Sequence, residues 1–238
     1  MKKKEARATV LLQARTGSKR LPGKVLRPAA GRPMLWYTVR TLQLSPGVEK
    51  IVLATTELAA DDVLVEAAAA WGIATFRGPE EDVLARLAAA ARQFPAGYYL
   101  RATGDNPVLD LNNPLRSLNF LLNEKLDYCA EKGLPVGSIV EVFTAEALQK
   151  ADREAVLPAD REHVTLYMKR SPSFRRAFPQ APDELCFPEL SLTVDTRADF
   201  ERAAFILEKL YRKGIPPFAE VLALCRENPA LTGRNTLL

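Results

Sequence analysis

Near the N-terminus, Gln13-Ala14-Arg15-Thr16-Gly17-Ser18-Lys19-Arg20-Leu21-Pro22-Gly23-Lys24 gathers the residue types that hold a polyphosphate. The glycines let backbone N–H groups come close to an anion, and the cations offset its charge. A Walker A loop is excluded. Ser18-Lys19-Arg20-Leu21-Pro22 is too long a spacer between its glycines, and Val25 stands where that motif needs a Mg²⁺-binding hydroxyl. The G-x-G-x-x-G dinucleotide pattern is absent as well. The residues alone leave a solvated basic turn as the competing reading. They also leave open which anion is bound.

The elements around this loop give it a place. Thr9-Val10-Leu11-Leu12 is a short apolar run and reads as a buried strand that feeds the loop. Pro33 opens a helix with Leu35, Val39 and Leu42 at helical spacing. Ile51–Ala54, Ile73–Phe76 and Tyr98–Ala102 are further strands. Between them lie helices: one after Asp61-Asp62, closed by Gly72, and one carrying Val83, Leu84, Leu87, Ala88 and Ala91. Strands alternating with helices predict βαβ units and a Rossmann-like, mainly parallel α/β sheet. Ligands of such sheets sit beyond the carboxyl ends of the strands, where this loop begins. In the less regular second half, Ser138–Phe143 and Leu190–Val194 read as strands. Asp199 opens a helix with Phe200, Ala204, Leu207 and Tyr211 on one face, closed by Gly214, and Pro216-Pro217 start a last one before Pro229. No repeat or Gly/Ser linker divides residues 1–238. One domain is expected, with a nucleotide-binding part over about 8–110 and a second half over about 111–238.

At 47% hydrophobic and 26% charged, the 238 residues have ordinary globular composition, and a core of this size needs no staple. The net charge of +4 suits an anionic partner without choosing between nucleotide and nucleic acid. Lys2-Lys3-Lys4 is too short a run to hold a polyanion alone. Cys129, Cys186 and Cys225 are far apart and odd in number, which argues against a zinc site or disulfide framework and for a reducing cytoplasm. Arg15 and Lys19 interrupt the first apolar run, so no secretory leader is expected, and no segment has the length of a membrane span.

Leu12–Leu26 closely resembles the opening of the spore-coat polysaccharide (SpsF-type) cytidylyltransferases, relatives of CMP-sialic acid and CMP-KDO synthetases. The resemblance continues in order through Ala54-Thr55-Thr56, Phe76–Leu84, Arg101–Pro107, Val140–Phe143, Arg161–Thr165 and Leu192–Thr196. It implies a nucleotide-diphospho-sugar transferase fold and the reaction of CTP with a sugar to give CMP-sugar and pyrophosphate, for surface polysaccharide or glycan synthesis. By match, Gln13, Ala14 and Arg15 lie along the nucleotide, with Gly17, Thr55 and Thr103 on the same side. Arg15, Ser18 and Lys24 meet phosphates, and Asp105 and Asp195 bind Mg²⁺. Arg101, Glu141, Glu162 and His163 belong to the sugar side. A dimer is common among such relatives. Two departures stand in the sugar half. Leu134–Ser138 precedes Glu141 where a P-x-G-type lead is expected directly, and Leu166 follows Thr165 where proline is usual.

The chemistry agrees with that assignment. Mg²⁺ takes one or two carboxylates together with phosphate oxygens. Asp105 and Asp195 each follow a strand-like run, and two strand-end aspartates at one sheet edge can converge on one ion. Lys24 and Arg15 would neutralise the leaving pyrophosphate. No dedicated general base is evident. Arg101 can face an acidic sugar's carboxylate or pair with Asp105. His163, the only histidine, is expected near a helix start, in the block where Glu162 precedes it. Guanylyl or uridylyl transfer to a sugar phosphate keeps the same reaction with another base. A nucleotide- or RNA-binding module is the reading of a different class, disfavoured because the 15–24 loop has no stacking aromatics.

Overall fold

The computed structural model describes residues 6–234, so the Lys2–Lys4 run lies outside the described residues. In chain order the first half holds β1 (Ala8–Gln13), β2 (Pro28–Ala29), β3 (Arg32–Pro33), α1 (Met34–Leu44), β4 (Val48–Thr56), α2 (Asp62–Ala70), β5 (Ala74–Gly78), α3 (Val83–Gln93) and β6 (Tyr98–Thr103). The second half holds α4 (Asn113–Asn123), β7 (Tyr128–Cys129), β8 (Glu141–Thr144), α5 (Ala145–Glu154), α6 (Pro158–His163) and α7 (Leu166–Arg170). It continues with β9 (Arg176–Ala177), β10 (Leu190–Ser191), α8 (Arg197–Leu210), α9 (Phe218–Glu227) and β11 (Gly233–Arg234).

Seven strands form one sheet in the order β5-β4-β1-β6-β8-β7-β9. β5, β4, β1 and β6 run parallel, β8 joins β6 and β7 antiparallel, and β9 is parallel to β7. The central strands are apolar on both faces because both faces are covered. Val10, Leu12, Ile51, Leu53, Leu100 and Ala102 pack on one side with Leu35, Val39 and Leu42 of α1, Leu64 of α2 and Leu118 of α4. Their alternates Leu11, Val52 and Tyr99 pack on the other side with Leu84 and Leu87 of α3, Leu148 of α5 and Met168 of α7. A third core joins α8 and α9 through Ile206, Leu207, Val221 and Leu222. The βαβ units and the parallel half of the sheet agree with the sequence pattern.

Two expectations change. The strand expected over 138–143 begins only at Glu141, because the backbone before it is spent on loop contacts: Asp110 N donates to the Ser138 carbonyl (2.9 Å) and Val140 N to the Asn113 side chain (2.8 Å). The strand expected over 190–194 pairs only at Leu190–Ser191, with β11 in a separate two-stranded sheet. Beyond it Leu192 N donates to Val136 O (2.8 Å) and Val194 N to Asp105 O (2.9 Å). Asp195 therefore reaches Asp105 from a loop and not from the edge of the main sheet. Among the described residues no helix is long and apolar enough to cross a membrane.

Candidate active site

The loop leaving β1 is shaped before any ligand arrives. The Thr16 carbonyl accepts from Ser18 N (2.8 Å) and from Gly23 N (3.1 Å), and Leu21 N donates to Ser18 Oγ (3.3 Å), so the chain folds back on itself. Gly23 has φ +67, a left-handed conformation that lets the chain enter the 3₁₀ turn Lys24–Leu26. Leu21 is buried with Met34, Val194 and Ala203, which ties the loop to α8.

Asp61 anchors the other side. It is 1% exposed, and its carboxylate accepts from Thr16 N (2.8 Å), Thr16 Oγ1 (2.6 Å), Thr55 Oγ1 (3.1 Å), Thr56 N (3.3 Å) and the Thr56 hydroxyl. Burial alone would raise its pKa, but these donors outweigh it and hold the carboxyl below its ordinary value. Thr55 was expected beside the nucleotide. It is fully buried and spends its hydroxyl on Asp61, so it supports the loop from behind. The sequence pattern had made Asp61 only a helix start.

Beyond the ends of β1 and β6 lies a cavity of about 460 Å³. Gln13, Ala14, Arg15, Gly17, Ser18, Lys24, Arg101, Thr103, Asp105, Glu162, His163 and Asp195 all border it. Close packing of β1 and β6 depends on Gly104, where a Cβ would stand 2.7 Å from the Ala14 Cβ and 3.0 Å from Leu35. Its N–H donates to the Gln13 carbonyl (2.8 Å).

One end is a cluster of opposite charges. Lys24 Nζ donates to Asp105 Oδ2 (3.1 Å), Asp195 Oδ1 (3.0 Å) and the Val194 carbonyl (2.7 Å). Arg20 pairs with the other Asp195 oxygen (2.8 Å), and Thr103 Oγ1 donates to Asp105 Oδ1 (2.7 Å) while accepting from Asn106 Nδ2 (2.8 Å). The Lys24 side chain is only 10% exposed, against 28% for Asp105 and 34% for Asp195. The carboxylates thus face the open cavity and the ammonium sits beneath them.

The other end is built on α3 and β8. Arg15 Nη1 pairs with Glu80 (3.0 Å) of the Phe76–Leu84 block, in which Val83 borders the cavity. Arg86, one turn after Val83, borders the cavity beside it at 2% exposure. Its Nη1 donates to the carbonyls of Pro79 (2.6 Å) and Glu80 (3.2 Å), and its buried Nε finds no acceptor. Burial, helped by the nearby Arg15 charge, pushes its pKa down to about 10. Arg86 falls among the apolar residues of a helix face, and nothing in the sequence pattern marks it out.

Arg101 does not pair with Asp105. Its Nη1 donates to Glu141 Oε2 (2.7 Å) and its Nε to Gln13 Oε1 (3.0 Å). Arg101 and Glu141 are directly opposed across β6 and β8. Glu141, expected on the sugar, lies behind Arg101 and does not border the cavity. It also accepts from Tyr128 Oη (2.7 Å) and Thr165 Oγ1 (2.9 Å) and pairs with Lys169. Burial opposes its charge, but Arg101 and Lys169 overcome that and bring its pKa down to about 2.

His163 is the last residue of α6, not near a start, because Pro158 occupies the first turn of that helix. Val164 follows with φ 59 and ψ −64, and Thr165 N donates to the His163 carbonyl (2.6 Å). This is a γ-turn with positive φ, strained for a β-branched residue by about 1–3 kcal/mol. Thr165 is held there by Glu141, and the turn keeps Glu162 and His163 at the cavity wall.

The cytidylyltransferase family model matches residues 9–208. The chain belongs to that family. The spore coat polysaccharide biosynthesis protein SpsF of Bacillus subtilis is 32% identical over 225 residues, covering 92% of this chain and 94% of that protein. The 3-deoxy-manno-octulosonate cytidylyltransferase of Acidobacterium capsulatum is 28% identical over 193 residues, covering 74% and 77%. Among solved structures, a cytidylyltransferase from Leptospira borgpetersenii superposes with a TM-score of 0.87 at 27% identity, covering 98% of this chain and 99% of that one. The nucleotide-diphospho-sugar transferase fold and the SpsF-type family expected from the motifs are both correct.

Proposed function

We propose that this cytidylyltransferase transfers CMP from CTP to a hydroxyl of an acidic sugar and releases pyrophosphate, in the synthesis of a surface glycan. The observation that carries this reading is the Lys24–Asp105–Asp195 cluster at the mouth of a loop built for phosphates. In the step, the sugar oxygen forms a bond to the α-phosphorus, the bond from that phosphorus to the bridging oxygen of the β-phosphate breaks, and the hydroxyl proton passes to solvent. Arg15, Lys19, Arg20 and Lys24 offset the charge that develops on pyrophosphate, and Ser18 with the Gly17 backbone orients the phosphates. Arg101, preset by Glu141 and Gln13, together with Glu162 and His163, forms the wall where a sugar carboxylate and hydroxyls are received.

Mg²⁺ fits this donor set. Asp105 and Asp195 present carboxylate oxygens within hydrogen-bond reach of a single cation. Among the described residues no three His, Cys, Asp or Glu side chains converge, so protein alone makes no cage. Two carboxylates completed by phosphate oxygens is the coordination this ion favours. When bound, the ion would supply Lewis-acid polarisation of the phosphate oxygens.

The test is pyrophosphate release with CTP, UTP, GTP and ATP supplied separately, with Mg²⁺ and a panel of acidic sugars that includes 3-deoxy-manno-octulosonate, the sugar named in the Acidobacterium relative. Release that requires CTP and a sugar is expected. Release with another triphosphate would overturn the base assignment, and none with any pair would overturn the reaction.

A further inference from the structure

The two ends of the cavity suit different parts of a nucleotide. At one end Arg20, whose side chain is 65% exposed, and Lys24 meet the Asp105 and Asp195 carboxylates, a wet and highly charged setting suited to a hydrated triphosphate. At the other, Arg86 is 2% exposed and lines the cavity one turn from Val83, 8% exposed, with Ala14, 7% exposed, on the same cavity wall. Among the described residues no carboxylate forms an ion pair with Arg86. Two backbone carbonyls occupy its Nη1, and its Nε is buried without an acceptor. A buried donor left unsatisfied costs free energy, and Asp61, Glu80 and Asp82 act on the Arg86 charge only from beyond ion-pair distance. A helix residue in this position would ordinarily be apolar. Such a group is consistent with an acceptor that arrives with a ligand.

We infer that Arg86 is a specificity-determining residue that reads the acceptor edge of the nucleotide base against the Val83 side chain. A guanidinium can only donate. Cytosine offers two adjacent acceptors, O2 and N3, whereas uracil turns an N3–H donor toward the same group. Arg86 therefore favours cytosine over uracil, and the apolar Val83 and Ala14 walls suit a flat ring better than a hydrated phosphate. This inference rests on the CTP reading above and names the group that enforces it.

Calorimetric titration with CTP, UTP, 3-deaza-CTP (a C–H in place of N3) and inorganic tripolyphosphate tests it, on the wild-type chain and on Arg86→Met. Wild type should hold CTP about 10- to 100-fold more tightly than UTP or 3-deaza-CTP, the range of a hydrogen bond to a charged donor. Arg86→Met should bind the three nucleotides alike and leave tripolyphosphate binding unchanged. Three results would overturn the inference alone: wild type binding 3-deaza-CTP as tightly as CTP, Arg86→Met keeping the CTP preference, or tripolyphosphate weakening in parallel with CTP. The 3-deaza-CTP comparison on wild type needs no variant, so it decides even if Arg86→Met fails to fold. Wild type preferring another triphosphate would instead defeat the CTP reading, and the inference with it.

Discussion

At the carboxylate end of the cavity, the ion pairs face the opening: Lys24 with Asp105 and Asp195, and Arg20 with Asp195. At the α3–β8 end, Arg15 meets Glu80 half-exposed, but the deeper compensation is hidden. Glu141 sits behind Arg101, and Arg86 makes no ion pair among the described residues, with Asp61, Glu80 and Asp82 acting on it only from a distance. The first arrangement can trade its internal ion pairs for a metal and phosphates with little rearrangement. The second is rigid where Arg101, Glu141, Tyr128 and Thr165 interlock below the surface, and it suits recognition of shape and hydrogen-bonding pattern. Substitutions at the two ends should therefore fail differently, with activity lost at the first and stability or selectivity lost at the second.

The largest effect is expected at the hidden end. Glu141→Ala removes the counter-charge of Arg101 and Lys169 and should destabilise the fold by about 3–5 kcal/mol, read by denaturant titration. The same network predicts an acid response. With its folded pKa held at about 2, against the ordinary 4.5, Glu141 stabilises the fold fully above about pH 4.5. That contribution fades as the pH falls from 4.5 toward 2. The stability curve of Glu141→Ala should be flatter than wild type in that window, and parallel curves would contradict the assignment.

At the exposed end, Asp105→Ala should lower kcat on the order of 10²–10³-fold, with the melting temperature nearly unchanged and the Mg²⁺ dependence altered. Near-normal turnover with the same Mg²⁺ dependence would remove Asp105 from the proposed metal site.

Much of this division was legible in the sequence, and its limits have physical causes. The strand-and-loop signature of residues 9–24 is local, and so is the Gly104-Asp105 turn, because a buried parallel strand must be continuously apolar and a phosphate loop must be basic and glycine-containing. Pairings that depend on distant register were not legible. Nothing in the sequence says that Glu141 lies opposite Arg101, since an antiparallel β8 beside β6 is a tertiary outcome. Arg86 was hidden by its helix, whose apolar period accounts for its neighbours without it. Asp61 was read as a helix start because its partners Thr16 and Thr55 come from other elements. The position of His163 at the end of α6 follows from Pro158, a signal present in the sequence but outweighed by the motif around it.

Two smaller effects sharpen the comparison. Asp61→Ala should cost about 1–3 kcal/mol by leaving Thr16, Thr55 and Thr56 donors unsatisfied, and should raise the KM for nucleotide as the loop loosens. An unchanged KM would show that the loop holds its shape without this anchor. Asp82 caps α3 by accepting from Ala85 N (2.9 Å) and pairs with Arg161 of α6. Asp82→Ala should cost about 1 kcal/mol, seen as a modest fall in melting temperature. A larger loss would mean that the α3–α6 tie matters more than the cap.

The most direct test of the central claim follows the phosphorus nuclei of CTP during incubation with the protein, Mg²⁺ and a set of 2-keto sugar acids. The account predicts that the three triphosphate resonances are replaced by one phosphodiester signal and an equimolar pyrophosphate signal, only when a sugar is present, and that Asp105→Ala slows this conversion. CTP that stays intact with every sugar, or that is converted to CDP and orthophosphate, would contradict it.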